Sequence, residues 1–234
     1  MSTAPRSAER AIEVTASLID LARIENKVPT TVPRQKICFD EWNVWDPVRA
    51  PGELGGEEAY TLSDALAVAV WLNVFVRQAE YIGMANIAQS VNVISPLMTT
   101  KEGIVKQPPW WPLLLFSKYM RGQALSVGVR CGEYQGVTKP DWIRGTIETP
   151  WLDVSAALGD DGVVSLAVVN IQEDKAIETQ LKGIPAGAKV EVHLVSGKGV
   201  MEREAGVSTS EITWPEDHSY KFPAASLTML RYKP

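Results

Sequence analysis

Apolar positions along this chain follow two periods, helical in the first half and strand-like in the second. From Ala8 to Ile24 the residues Ile12, Leu18, Ile19 and Ala22 recur on one helical face, and Pro29 and Pro33 end the segment. Gln35 to Glu41 reads as a strand. Thr61-Leu62-Ser63-Asp64 carries a capping side chain with an acid three residues on, the signature of a helix start. The helix predicted from about Asp64 to Tyr81 is apolar nearly all round, so it should be buried, and Gly83 stops it. A second strand is centred on Ala85–Ala88, within Met84 to Ile94. Pro108 and Pro109 then precede a helix from about Trp111 to Tyr119.

From about Leu125 the pattern shortens. Leu152–Ala157 and Val163–Val169 flank Gly159-Asp160-Asp161-Gly162, a hairpin signal, and Lys189–Val195 and Leu227–Tyr232 are further strands. Short strands separated by turns predict a β-sandwich. The composition shift near residues 121–130 divides the chain into residues 1–124 and 125–234. The first unit is in the βα register of a parallel sheet or barrel, but with two strands only. Two parallel strands neither close a barrel nor cover their own edges, so the unit is expected to need further sequence.

Composition narrows the function classes. With 234 residues, 45% hydrophobic and 22% charged, the chain is ordinary for a globular protein with a sizeable core. A formal net charge of −5 leaves no basic footprint for nucleic acid. The first ten residues lack the apolar segment of a signal peptide, and the run Ala65 to Val76 is too short to span a membrane. No nucleic-acid or membrane partner is therefore expected, and the compartment expected is the cytoplasm. Two cysteines exclude a disulfide framework. Cys38, in an apolar stretch, reads as a small buried hydrophobe. His193 and His218 have no clustered partners and read as structural or solvent-facing, so no metal and no cofactor is expected.

The chemistry concentrates in Ile37-Cys38-Phe39-Asp40-Glu41-Trp42-Asn43-Val44-Trp45-Asp46, followed by a Gly- and Pro-rich loop over residues 46–60. An apolar strand ending in acids and indoles suits the mouth of a sugar-binding α/β barrel. Carboxylates supply acid, base or nucleophilic chemistry, and indole faces stack on sugar rings. Alternation along a strand sends Asp40 and Glu41 to opposite faces, so they are not expected to act as a catalytic pair.

At Phe39-Asp40-Glu41-Trp42-Asn43-Val44-Trp45 the sequence resembles glycoside hydrolase family 51, the retaining α-L-arabinofuranosidases. The segment from Met84 to Pro96 and the stretch beginning Trp110-Trp111-Pro112-Leu113 resemble the same family in the same order. The resemblance implies α/β plus all-β architecture: the last two strands and helices of a (β/α)8 barrel over residues 1–124, then a jelly-roll-like β-sandwich over 125–234. It implies that Glu41 is the nucleophile, and that Gln89 contacts arabinose. Trp45 and the weaker companion Asn92 are further candidates for binding substrate. Asn43 is read as a loop holder, Trp42 as closer to core, and Trp110 and Trp111 as either a subsite wall or core. The substrate implied is an arabinofuranosyl-containing polysaccharide or oligosaccharide, with no cofactor and with self-association of the complete protein.

The sequence departs from the family in one large respect. The family's acid/base Glu follows an Asn, and no Asn-Glu pair occurs here. The chain thus resembles a C-terminal portion, expected to be inactive alone. The alternative is a non-catalytic β-sandwich, binding carbohydrate or packing, from a truncated gene product.

Overall fold

A computed structural model of the chain describes residues 4–45, 58–138, 141–143 and 147–234. The first half contains α1 (Ala4–Glu25), β1 (Ile37–Trp42), α2 (Leu62–Arg77), β2 (Ile82–Ile87), a hairpin of β3 (Leu97–Thr99) and β4 (Ile104–Lys106), and α3 (Trp110–Tyr119). β1 and β2 pair in parallel as a two-stranded sheet. One face of that sheet is covered: Phe39, Trp42, Ala85 and Ile87 pack against Val68, Trp71 and Phe75 of α2. The other face carries Cys38 and Met84, both exposed. Cys38 is therefore not the buried hydrophobe its apolar neighbours suggested, because it alternates away from the helices.

The second half contains β5 (Gln123–Leu125), β6 (Leu152–Leu158), β7 (Val164–Asn170), β8 (Ile177–Gln180), β9 (Lys189–Gly197), β10 (Ala205–Thr213), β11 (Ser219–Phe222) and β12 (Ser226–Tyr232). Six of these strands form an antiparallel sheet in the order β10-β9-β12-β7-β6-β5, and β11 pairs with β8. The predicted hairpin turn joins β6 to β7, with Gly162 in the left-handed region at φ +74°.

Both faces of the large sheet are buried at its inner strands, which explains why β6 and β7 read as nearly continuous apolar runs. Residues at one parity (Ala167, Val169, Val195, Leu227, Met229) meet Leu62, Leu66 and Ala69 of α2 and Leu115 and Phe116 of α3. Those at the other (Val154, Leu166, Val168, Val192, Leu230) meet Ile184, Trp214 and Phe222. Helix α2 thus packs against the parallel pair and the large sheet together, which is why it is apolar all round. Its start is capped as its sequence predicts, Asp64 Oδ2 accepting from the Thr61 N–H at 2.8 Å and from the Thr61 hydroxyl at 2.8 Å.

A buried ion network locks α1, α2 and β6 together. Asp153, which is 2% exposed, accepts from Arg77 at 3.0 Å and from Asn73 at 2.8 Å, and pairs with Arg6 at 2.7 Å. Arg77 donates two further bonds to Glu9, at 2.7 and 2.8 Å. Burial alone would raise the pKa of Glu9. Arg77, by hydrogen bond and by charge, and Arg6 together outweigh burial and hold it below its ordinary value. Ser155 donates to Asn73 at 2.6 Å, which satisfies the remaining amide oxygen.

A second polar cluster fastens α3 to the sheet. His193 of β9 stacks on Tyr119 with ring centroids 4.7 Å apart, and the Arg231 guanidinium lies 4.0 Å from the same ring centroid. His193 Nδ1 meets the Thr209 hydroxyl at 3.0 Å. Its Nε2 is 3.0 Å from Glu191, a contact that becomes an ion pair when the ring is protonated. Burial lowers the His193 pKa, and Arg231 and Lys118 add to this. The opposing pull of Glu191 is weaker than their sum.

Two outcomes are expected in denaturant melts. Arg77→Ala and Asp153→Ala each strand a buried charge and should each cost about 3–5 kcal/mol, with a double mutant well short of their sum. Because the folded-state pKa of His193 is depressed, its neutral form favours the fold. Stability should be full above pH about 6.5 and decline as pH falls below that value, the unfolded form then binding more protons. His193→Gln should flatten this limb. A separate loss below pH about 4.5, from Glu9, should remain.

Candidate active site

The candidate site is built on the C-terminal ends of β1 and β2. Register sets its geometry. Phe39 pairs with Ala85 and Trp42 with Ile87, so Asp40 and Glu41 together stand opposite Asn86 alone. This bulge breaks the alternation that would send Asp40 and Glu41 to opposite faces. Phe39 and Trp42 both turn toward α2, while Asp40 and Glu41 are both exposed. Trp42, 5% exposed, stacks obliquely with Trp71 at 6.0 Å and edge-on with Phe75 at 5.1 Å, so it is a core residue. The bulge is the device that keeps an indole in the core and releases the following polar segment to the rim.

Asn43 ties the two strand ends together. Its amide donates to the Ala88 carbonyl at 2.6 Å and to the Ile94 carbonyl, and its Oδ1 accepts from the Val44 N–H at 2.7 Å. This is the loop-holding role expected of it. Gln107, not anticipated from the sequence, does the same from below. Its amide donates to the Ser95 carbonyl at 2.8 Å, its oxygen accepts from the Tyr60 N–H at 3.0 Å, and the Tyr60 hydroxyl donates to the Val44 carbonyl at 2.7 Å. The only sequence signal was an amide just before Pro108 and Pro109.

Gln89 is exposed and follows a cis peptide bond from Ala88. The loop after it holds Asn92 and Ile94 at positive φ, +66° and +37°. For β-branched Ile94 that backbone is strained, and the bonds from Asn43 and Gln107 hold the loop there. Asn92 turns its carboxamide to Thr99, donating at 2.9 Å and accepting from the Thr99 N–H at 2.8 Å, which braces the β3–β4 hairpin. Trp45 is 61% exposed. Trp111 packs against the core and donates its Nε1–H to the Ala205 carbonyl at 2.7 Å, the core alternative for that residue. The predicted loop over 46–60 lies outside the described residues except for its last three.

A sequence profile of the alpha-L-arabinofuranosidase C-terminal domain matches residues 40–226. The chain belongs to that family. It is 61% identical to a probable alpha-L-arabinofuranosidase C of Aspergillus clavatus, over 99% of this chain and 46% of the relative. The chain therefore spans about half the length of the curated relatives it matches. By fold it is similar to the arabinose complex of an alpha-L-arabinofuranosidase from Thermotoga maritima, with TM-score 0.79 and 23% identity over 97% of this chain and 48% of that one. It is similarly close to the GH51 alpha-L-arabinofuranosidase from Thermotoga petrophila, with TM-score 0.79 and 21% identity over 99% and 49%. The resemblance to family 51 read from the motif thus holds for this chain as a C-terminal portion.

Asn43→Ala should leave the Ala88 carbonyl without its side-chain donor and free the rim. We expect a loss of about 1–3 kcal/mol in denaturant melts and faster amide exchange over residues 88–94 than in the parent chain.

Proposed function

We propose that this chain forms the C-terminal portion of a retaining α-L-arabinofuranosidase that releases terminal arabinofuranosyl groups from arabinan or arabinoxylan. Residues 1–124 are the last part of a (β/α)8 barrel and residues 125–234 a jelly-roll-like sandwich. The observation that carries this reading is Glu41, delivered by a bulge to the rim at the end of a parallel strand beside a loop braced by Asn43. Catalytic groups at the C-terminal ends of barrel strands are general to that architecture. Among the described residues no further strand pairs with the outer edges of the β1–β2 sheet, and Val14, Leu18, Leu21 and Ile24 of α1 are exposed, which supports further barrel elements on either side.

In this reading Glu41 attacks the anomeric carbon, forming a glycosyl-enzyme as the leaving group departs. A second carboxyl, ~5–5.5 Å away, protonates the leaving oxygen and then activates water. Gln89, with a donor and an acceptor on one amide, matches adjacent sugar hydroxyls. Trp45 offers an indole face at the rim. Asn92 contributes by shaping the loop, its amide being engaged by Thr99.

The second carboxyl is the missing part. The family's Asn-Glu pair is absent from these 234 residues. As this polypeptide alone, the chain is expected to show no turnover of an activated aryl arabinofuranoside. Joined behind the upstream part of the Aspergillus clavatus relative, in place of that protein's matching segment, it should turn the substrate over. Glu41→Gln should then lower kcat by on the order of 10⁴-fold or more. A folded chimera that is inactive, or one indifferent to Glu41→Gln, would refute the assignment.

A further inference from the structure

A cavity of about 450 Å3 opens where the start of α1 meets the large sheet, with Arg6, Tyr134, Trp151, Gln172, Glu173 and Asp174 among its lining residues. None of its lining residues is among residues 37–45 or 82–99, so it shares no residue with the Glu41 rim.

Its walls are set in place. Tyr134 meets Trp151 edge to face, with centroids 5.5 Å apart and planes at 88°. Gly132 lies against the indole edge so closely that a Cβ there would come within 3.1 Å of Cδ1. The Tyr134 N–H donates to the Thr149 carbonyl and the Trp151 N–H to the Gly132 carbonyl, each at 2.9 Å, so the segments bearing both rings are fastened to each other. A half-buried indole in fixed orientation presents an apolar surface at little entropic cost.

The polar groups are of two kinds. Arg6 and Asp153 on the floor neutralise one another, at 2.7 Å, inside the ion network. Arg6 is therefore not a spare cation for an anionic ligand. Glu173 and Asp174 at the mouth are exposed carboxylates, and they repel anions. Gln172 adds one amide that can both donate and accept. A neutral ring with a C–H face and hydroxyls on its edge satisfies this set, the face on Trp151 and the hydroxyls donating to Glu173 and Asp174. The volume lies within the range of ligand sites, about 300–1,000 Å3.

We propose that this cavity is a second glycan-binding site. It takes a neutral sugar ring of a polysaccharide chain and holds the polymer on the protein independently of Glu41. Only the choice of polymer below rests on the arabinofuranosidase reading.

The test is affinity electrophoresis of the 234-residue chain through gels containing soluble arabinoxylan. The chain should be retarded, and Glu41→Gln should be retarded equally. Trp151→Ala should bind about tenfold more weakly, the scale of one lost aromatic stack. If Trp151→Ala fails to fold by circular dichroism, Glu173→Ala combined with Asp174→Ala, on the solvent-facing mouth, probes the same cavity and should weaken retardation likewise. An unretarded parent chain overturns the proposal, as does retardation unchanged in the folded cavity variants or abolished by Glu41→Gln. The chimera assay is independent of all of these, so the cavity can fail while the role of Glu41 stands.

Discussion

The contact on which this molecule depends is the buried pairing of Arg77 with Asp153 and Glu9. It joins the end of α2 to the start of β6 and to the first turns of α1, three segments far apart in sequence. Two buried acids and a largely buried guanidinium would each be costly alone. Here Asn73 and Arg6 supply most of the remaining hydrogen bonds, so the cluster closes on itself. The apolar contacts of α2 set how near the helix lies to the large sheet. The ion network sets its rotation and register, because a shift of one residue would leave Asp153 without its partners. The orientation of the β1–β2 pair, and of the rim it carries, follows from that placement.

The helices were legible in the sequence through their apolar spacing, which α2 and α3 bury and which α1 leaves partly exposed at Leu18, Leu21 and Ile24. The long apolar run of α2 announced its burial, and Thr61 with Asp64 announced its start. The strands with one or both faces in the core were legible for the same reason. Those that escaped notice were short or polar. β3, β4 and β5 have three residues each, and β10 (Ala205–Thr213) is dominated by glycine, serine, threonine and glutamate because most of it faces solvent. Periodicity is a signal of burial, and where burial is slight the signal fades.

The rim shows the same division. The motif around Glu41 stood out through its composition, and Asn43 acts as its residue type suggests. What could not be read was the bulge. It depends on pairing with β2, far downstream, and strict alternation separated Asp40 from Glu41 where the structure leaves both exposed. Gln107 was invisible for a related reason. Its importance lies in reaching Tyr60 and Ser95 at once, a relation created by folding rather than by neighbouring residues.

The polar character of β10 has one more consequence. Its nine residues form one lateral boundary of the large sheet, and among the described residues only β9 pairs with them. A foreign strand laid alongside would find backbone donors and acceptors, but among Ser208, Ser210 and Glu211 it would find little greasy surface to cover. The opposite boundary, β5, is too short to template much. Edge-to-edge pairing at this margin would thus gain little apolar burial, and the composition of β10 itself disfavours it.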